Sequence, residues 1–525
     1  MKNKKDLLFY YKKRVVHTVL ERELGSNFIT LSSKVIIRKE NFGGILFNKE
    51  TGDIIEVDRE AFIIISILKD IEIVDTKAFL ELPISCKGKK ISRTSIEEMI
   101  SRLFRAGVID ILPKGVLSED RYGLLEEFSC KKIEWPMFTH LSAPETVHWA
   151  VTFRCGEACP DCYMERHKKL FTNELDTRNA LKLIDKIASA GVFQLAIGGG
   201  EPFLRDDLEI IAGYAMEKGL AVHITTGRYE IEDHRLDELA EHIKVLQIGI
   251  RTAELLHINT GTHEELRMLV AQLNQRRITT GANLIMTRSA IRNLDRIIGV
   301  LSEVGFRRYT LLRYKPPINV KRWLKEKPDK YDIEILEEKL TRIGGINTDI
   351  YIRIDCSFSF LGRKLNPQIA AYSGIKGCVA ADRIMSLAPD GSVFPCSQLT
   401  GAAFNAGNLI DKDFESIWNG SEIIRKYRGF RTKKSFKHGD CGKCKVKNFC
   451  GGCRVFASDA LSSDPGCPVP LYDTGYIDDE VDIISGIQDV IGCTSAGFPY
   501  ARREEIETWL EEEDDRGYPS WINLI

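Results

Sequence analysis

The sequence predicts an α/β fold: a partial (β/α)6 barrel, with a winged-helix-like module before it and a cysteine-rich domain after it. Three observations predict this. Across residues 147–355, strand-like and helix-like segments alternate six times, and repeated β-α units of that size form parallel strands joined by right-handed crossovers. Before them, short apolar runs around a Gly-containing turn give way to helical periodicity. After them, seven cysteines fall between Cys378 and Cys467.

Composition narrows the setting. The 525 residues hold 74 Lys+Arg against 75 Asp+Glu, a balance that argues against a nucleic-acid surface. No apolar run approaches the length of a membrane span. The basic N-terminus, MKNKKDLLFYYKKRVV, is too interrupted for a signal peptide. The expectation is a cytoplasmic protein with no nucleic-acid or membrane partner. In that reducing compartment the 14 cysteines are not expected to pair as disulfides. Their crowding reads as metal ligation, whereas the isolated Cys86 and Cys130 read as small buried apolar groups.

The N-terminal module spans 25–115. Val35-Ile-Ile-Arg-Lys, Gly44-Ile-Leu-Phe and Ile54-Ile-Glu-Val-Asp, with the turn Asn48 to Asp53, read as a small antiparallel sheet. Ala61, Ile64, Ile65 and Leu68 then mark one helical face, and Ile96, Met99, Ile100, Leu103 and Phe104 another. In pattern and placement this stretch resembles the PqqD-like recognition element of enzymes that modify ribosomally made peptides. The resemblance implies a leader peptide that adds a strand beside Ile54, Ile55, Glu56, Val57 and Asp58, next to the helix Ser95 to Ala106. A structural domain, or a winged helix on nucleic acid, stays open as an alternative. Residues 116–146 show no sustained periodicity and read as a linker.

In the barrel, strands are expected at 147–152, 193–197, 221–225, 245–250, 282–286 and 309–312, with ligands at their C-terminal ends. Two motifs sit there. Cys155-Gly-Glu-Ala-Cys159-Pro-Asp-Cys162 follows the first strand, and Gly198-Gly199-Gly200-Glu201-Pro202 follows the second. Three thiolates from one loop can hold three irons of a cubane cluster, leaving the fourth iron without a protein ligand. The glycines let backbone approach a ligand, and Glu201 can accept from an ammonium group. A zinc site would want a further ligand at finger spacing, for which His167 is nearest.

A C-x3-C-x2-C loop on strand one with GGEP on strand two resembles the radical SAM superfamily. That resemblance implies a 4Fe–4S cluster on Cys155, Cys159 and Cys162, whose open iron binds S-adenosylmethionine. Gly199, Gly200 and Glu201, with Pro202 in the same loop, would hold the methionine amine. One electron, from a donor such as ferredoxin or flavodoxin, would cleave the cofactor to a 5′-deoxyadenosyl radical that takes a substrate hydrogen. Two places depart from the family pattern. Asp161 stands where an aromatic residue usually faces the adenine, with Tyr163 one place beyond the third cysteine. A strand that often reads Ser-Leu-Asp near the ribose reads Gly249-Ile250-Arg251. Arg251 and Arg313 are candidates for the cofactor carboxylate, because guanidinium grips carboxylate bidentately. Thr225 and Thr226 are candidates for the ribose.

The domain at 356–467 carries Cys378, Gly391-x4-Cys396, Cys441-x2-Cys444-x5-Cys450-x2-Cys453 and Cys467. It resembles the SPASM extension, except that Cys450 and Cys453 are one residue closer than usual. The resemblance implies two auxiliary clusters. Cys441, Cys444, Cys450 and Cys467 would hold one. Cys378, Cys396 and Cys453 would hold the other and leave it one ligand short. Cys356 or Cys493 could close that site, or a substrate thiolate could occupy it. The tail, 468–525, contains an acidic helix-like run and an apolar end, to which no function is assigned.

Together the resemblances imply a maturase that crosslinks a precursor peptide bound through its leader, most simply as a cysteine thioether. Carbon–carbon crosslinking and epimerisation use the same architecture. So would a radical enzyme acting on a folded protein or a tetrapyrrole, with a purely structural N-terminal module.

Overall fold

A computed structural model describes residues 27–86, 89–113, 133–156, 159–164, 173–256, 261–315, 320–346, 349–364, 377–438, 440–444, 446–447, 450–457, 459–464, 467 and 491–492. Cys130, His167, Cys493 and the acidic run of the tail lie outside these residues. The chain divides into two compact units, with the main boundary after Ser142. Among the described residues no helix is long and apolar enough to cross a membrane.

Among the described residues the first unit contains strands of three small sheets. Strands β2 (Val35–Glu40), β3 (Gly43–Asn48) and β4 (Ile54–Asp58) form an antiparallel meander. Strand β1 (Asn27–Leu31) pairs instead with β5 (Ile73–Asp75) and β8 (Ile109–Pro113), an arrangement the sequence reading did not anticipate. A two-residue hairpin, β6 (Ser85–Cys86) and β7 (Lys89–Lys90), lies between them in sequence. The helix Arg59–Ile71 starts at β4, where the Asp58 carboxylate caps it by accepting from Ala61 N. Its Ala61, Ile64, Ile65 and Leu68 are buried, as their spacing predicts. The helix Arg93–Arg105 buries Ile96, Ile100 and Leu103.

Part of the stretch read as a linker is packed. Trp135 meets Phe62 edge-on at 5.5 Å, with the Arg59 guanidinium 4.9 Å from its ring. Glu40 is fully buried and satisfied, accepting from Arg38 Nε at 2.7 Å and Ser142 N at 2.8 Å. Periodicity misses such a segment because one large ring and one polar anchor leave no repeat.

The second unit holds one ten-stranded sheet in the order β15-β14-β13-β12-β11-β10-β9-β16-β17-β18. The six expected strands are β9 (Thr146–Thr152), β10 (Gln194–Gly199), β11 (Ala221–Thr226), β12 (Ile243–Ile250), β13 (Thr279–Met286) and β14 (Arg308–Arg313). All are parallel, joined through helices such as Thr177–Ser189, Leu208–Glu217, Thr262–Gln275 and Leu294–Val304. Two further parallel strands extend them. β15 (Tyr351–Ile354) pairs with β14, and β16 (Ile384–Leu387) pairs with β9. Strands β17 (Ser392–Phe394) and β18 (Gly407–Asn408) then continue antiparallel. The cysteine-rich region therefore begins as an extension of the barrel sheet at β9.

Strand periodicity separates two faces. On β12, Leu246, Ile248 and Ile250 are buried while Gln247 and Gly249 stay half-buried. On β13 the same holds for Leu284 and Met286 against Asn283 and Ile285. The buried set thus packs beneath the helices, and the alternating, half-buried set turns toward the barrel interior. His148 and His223 share that interior, and burial pushes each down to about 4 from 6.5. The native state then binds fewer protons than the unfolded chain between those values. Stability is full above pH 6.5 and falls through the window to pH 4, by up to about 3 kcal/mol per histidine. Urea midpoints at pH 7.5 and pH 5 should therefore converge in a His148→Gln/His223→Asn variant. Equal pH dependence in variant and parent would remove the histidines as the cause.

Candidate active site

The two motif loops touch at the mouth of β9 and β10. Gly200 N donates to Thr152 O and Glu201 N to Arg154 O, each at 2.8 Å. A Cβ on Gly199, which has φ +114°, would stand 2.4 Å from Thr152 O, and one on Gly200 would stand 2.2 Å from Arg154 O. Only glycine allows this approach. It brings the GGEP backbone directly against the segment that leads into Cys155. Cys155, Cys159 and Cys162 are half-buried, and Cys162 N donates back to Cys159 O at 3.1 Å.

Glu201 is buried and joins β10 to β11. Its carboxylate accepts from Phe203 N at 3.1 Å, Thr226 Oγ1 at 2.9 Å and Gly227 N at 2.9 Å. Burial pushes its pKa up, and these donors pull against that shift. Thr226 is thereby committed to Glu201, whereas Thr225 is exposed. Arg251 closes the next loop: Nη1 donates to Gly227 O at 2.8 Å, and the guanidinium lies 4.0 Å from the Tyr229 ring. Tyr229 OH accepts from Arg251 N at 2.9 Å, and the tyrosine stands within electrostatic reach of Cys159. Burial lifts its hydroxyl to about 12. The structure thus gathers Glu201, Thr226 and Arg251 and adds Tyr229, whose only sequence signal is an aromatic residue just past Thr-Thr-Gly.

Asp161 has a definite partner set. It accepts from Tyr314 OH at 2.7 Å, Arg322 Nε at 2.7 Å and Arg322 Nη2 at 2.9 Å. The cluster loop is thereby fastened to the end of β14 and to the helix Val320–Glu326. Tyr163 turns toward the cysteine-rich region, packing on Phe153, Met164, Ala388 and Phe394. Its hydroxyl is pushed up to about 12 by burial, then by Cys162 and Cys396.

Arg313 also turns that way, and the carboxylate it grips is Asp464. Nη1 donates to Asp464 Oδ2 at 2.7 Å and to Ser357 O at 3.1 Å, between the rings of Phe456 (4.0 Å) and Phe360 (5.3 Å). Asp464 Oδ2 in turn accepts from Cys453 N at 3.0 Å. Sequence reasoning missed this carboxylate and also Lys315, a buried ammonium 2.6 Å from Asp355.

Mutual electrostatic influence links the seven domain cysteines in two sets. Cys441, Cys444, Cys450 and Cys467 share one neighbourhood: Cys441 Sγ accepts from Asp464 N at 3.3 Å, and Cys450 feels Cys467 and Cys441. Cys378, Cys396 and Cys453 share the other. Burial is the main upward influence on the thiols of Cys396, to about 11, and Cys450, to about 12. The short Cys450-x2-Cys453 spacing has a backbone explanation. Gly451 and Gly452 are both left-handed, at φ +66° and +74°, and a Cβ on Gly452 would stand 2.8 Å from Cys441 Sγ. Two such residues reverse the chain fast enough to send neighbouring cysteines to different groups.

In the N-terminal unit, Ile54 and Val57 of β4 are buried and Asp58 serves as a helix cap, while Ile55 and Glu56 remain half-buried.

The donor set fits iron–sulfur chemistry: sulfur-only groups spread over loops, beside a glycine cradle that a Cβ would fill. The comparisons agree. Residues 149–287 match the family model of the Radical SAM superfamily, and residues 378–445 that of an iron–sulfur cluster-binding domain, SPASM. The chain is 27% identical to an AdoMet-dependent heme synthase of Methanosarcina barkeri, over 63% of this chain and 98% of that protein. It is 27% identical to the mycofactocin maturase MftC of Mycobacterium tuberculosis, over 62% of this chain and 83% of that protein. Streptococcus suis SuiB bound to S-adenosylmethionine shares the fold at TM-score 0.59 and 19% identity, covering 84% of this chain and all of SuiB. The structure of SuiB bound to its precursor peptide SuiA matches at TM-score 0.56 and 17% identity, with the same coverage. The chain thus carries a Radical SAM domain followed by a SPASM iron–sulfur domain, the domain pair whose cofactors are S-adenosylmethionine and 4Fe–4S clusters.

Proposed function

We propose that this enzyme is a maturase that installs a crosslink, a cysteine thioether, in a ribosomally made precursor peptide. The observation that carries the reading is the contact of GGEP with the segment leading into Cys155, at the C-terminal ends of β9 and β10, in one unit with the seven cysteines of the following domain. Bound at Cys155, Cys159 and Cys162, the cluster and S-adenosylmethionine supply a 5′-deoxyadenosyl radical. This chain's own residues orient and enclose. Gly199 and Gly200 would bring backbone to the methionine amine, Glu201 braces that loop on β11, and Arg251, held on Gly227 O and Glu254, and the exposed Thr225 are offered for the carboxylate and ribose end. The half-buried interior residues shape a channel for an extended substrate and limit its water.

Peptide recognition falls to the N-terminal unit, whose β2–β4 meander followed by helices is similar to a PqqD-like element. The SuiB likeness supports this reading, since its 84% coverage exceeds what the barrel and cysteine-rich region make up. The heme synthase relative supports a second reading, a tetrapyrrole substrate, because its match spans nearly all of that protein but only 63% of this chain.

One assay separates the two. The reconstituted enzyme is incubated anaerobically with S-adenosylmethionine, dithionite and a leader-bearing, cysteine-containing peptide encoded beside it. The expected product has lost two hydrogens per crosslink. Deleting residues 1–115 should abolish that product while 5′-deoxyadenosine still forms. Persistent modification by the truncated enzyme would refute the recognition role, and turnover of a tetrapyrrole in place of the peptide would favour the second reading.

A further inference from the structure

We propose that Glu174 is a positioning residue for S-adenosylmethionine: it clamps the strand end that enters the cysteine motif to the chain beyond that motif, and so fixes the GGEP backbone that receives the cofactor's amine. The inference rests on the reading of GGEP as the amine site and names the residue that holds that site in place.

Thr152 is the last residue of β9, Arg154 stands one position before Cys155, and Glu174 follows on the far side of Cys162. The Glu174 carboxylate reaches back across the motif. Its Oε1 accepts from Thr152 Oγ1 and from Arg154 Nε at 3.2 Å, and its Oε2 accepts from Arg154 Nη2 at 3.2 Å. The same Thr152 hydroxyl accepts from Arg154 N at 2.9 Å. These two residues are the ones on which GGEP hangs, since Thr152 O and Arg154 O accept from Gly200 N and Glu201 N. The backbone beside Glu174 is anchored separately. Arg205, buried just past GGEP, donates from Nη1 to Val151 O and from Nη2 to Leu175 O, each at 3.0 Å. Leu175 N donates to Pro389 O at 2.9 Å.

The two arms of the clamp differ in weight. Arg154 is largely exposed, so solvent screens its pair with Glu174. Thr152 is fully buried, and a buried hydroxyl stripped of its acceptor bears the cost of its desolvation. Gly199 and Gly200 cannot hold themselves in place, because a residue without a side chain has the widest choice of backbone conformations. Their position is borrowed from Thr152 and Arg154 through the two hydrogen bonds. Loss of Glu174 therefore loosens the amine site without removing any group that touches the cofactor.

The test is equilibrium dialysis of radiolabelled S-adenosylmethionine against reconstituted full-length enzyme, kept oxidised so that no cleavage occurs. The 2-oxo analogue of the cofactor, which lacks the amine, is dialysed in parallel. Glu174→Ala should bind S-adenosylmethionine about tenfold more weakly, the equivalent of one stranded buried hydroxyl, while binding the analogue as the parent does. Glu174→Gln keeps an amide oxygen for Thr152 and should recover most of the affinity. If Glu174→Ala fails to fold, Thr152→Val removes the donor from the other end and should show the same selective loss. Parental affinity in Glu174→Ala or Thr152→Val, equal weakening toward cofactor and analogue, or a Glu174→Gln variant as weak as Glu174→Ala would each overturn the assignment. A parent that binds the two ligands equally well would instead refute the amine reading of GGEP beneath it.

Discussion

Arg313→Met is expected to cost about 3–5 kcal/mol of stability, because it strands a buried carboxylate. Asp464 is nearly inaccessible, and Arg313 is its guanidinium partner at 2.7 Å. Without that partner, Cys453 N and the few remaining donors face an uncompensated charge. The sign reverses in the double variant. Arg313→Met/Asp464→Leu removes both charges and keeps apolar bulk between Phe456 and Phe360, so most of the loss should be recovered. Urea midpoints of the holoenzyme and iron retention in the four proteins of the cycle provide the check. Costs that simply add would show the pair to be uncoupled. Because Arg313 ends β14 and Asp464 serves Cys453, iron should be lost from the auxiliary sites before the loop at Cys155 is affected.

Asp161→Ala should slow 5′-deoxyadenosine formation about 10- to 100-fold, the kinetic equivalent of one or two lost charge-assisted hydrogen bonds. It removes the acceptor for Tyr314 OH and both Arg322 donors, and thus the fastening between cluster loop and the helix Val320–Glu326. Asp161→Tyr gives the more decisive result. It restores an aromatic at a place where the family pattern has one, yet should be at least as impaired, since Tyr314 and Arg322 still lose the Asp161 acceptor. Asp161→Asn, which keeps one carbonyl acceptor, should fall between. Parental rates in Asp161→Tyr would mean that the aromatic function matters here and the fastening does not.

How legible each feature was depended on the distance over which it is specified. All six expected barrel strands occur, because period and turn residues are local. β15 and β16 escaped notice as barrel strands. Each is four residues long, and Tyr351-Ile-Arg-Ile and Ile384-Met-Ser-Leu acquire their place only by pairing with β14 and β9. β1 likewise depends on partners some forty and eighty residues away. The loops at Cys155 and Gly199 could be read directly, since ligand spacing and glycine need are written in consecutive residues. The arginines could not: Arg251 and Arg313 look alike in sequence as guanidiniums at strand ends, but one closes the loop beside Gly227 and the other is committed to Asp464.

The sequence by itself determined the β-α rhythm, the two motif loops in their order, and the supply of sulfur ligands. Tertiary structure decided what those residues face. It put Asp161 on Arg322 and tied Arg313 to a carboxylate 151 positions away. The physical reason is that hydrophobic period and backbone preference act within a few residues. Buried charges and thiols are assigned by desolvation, which depends on whatever distant chain happens to enclose them.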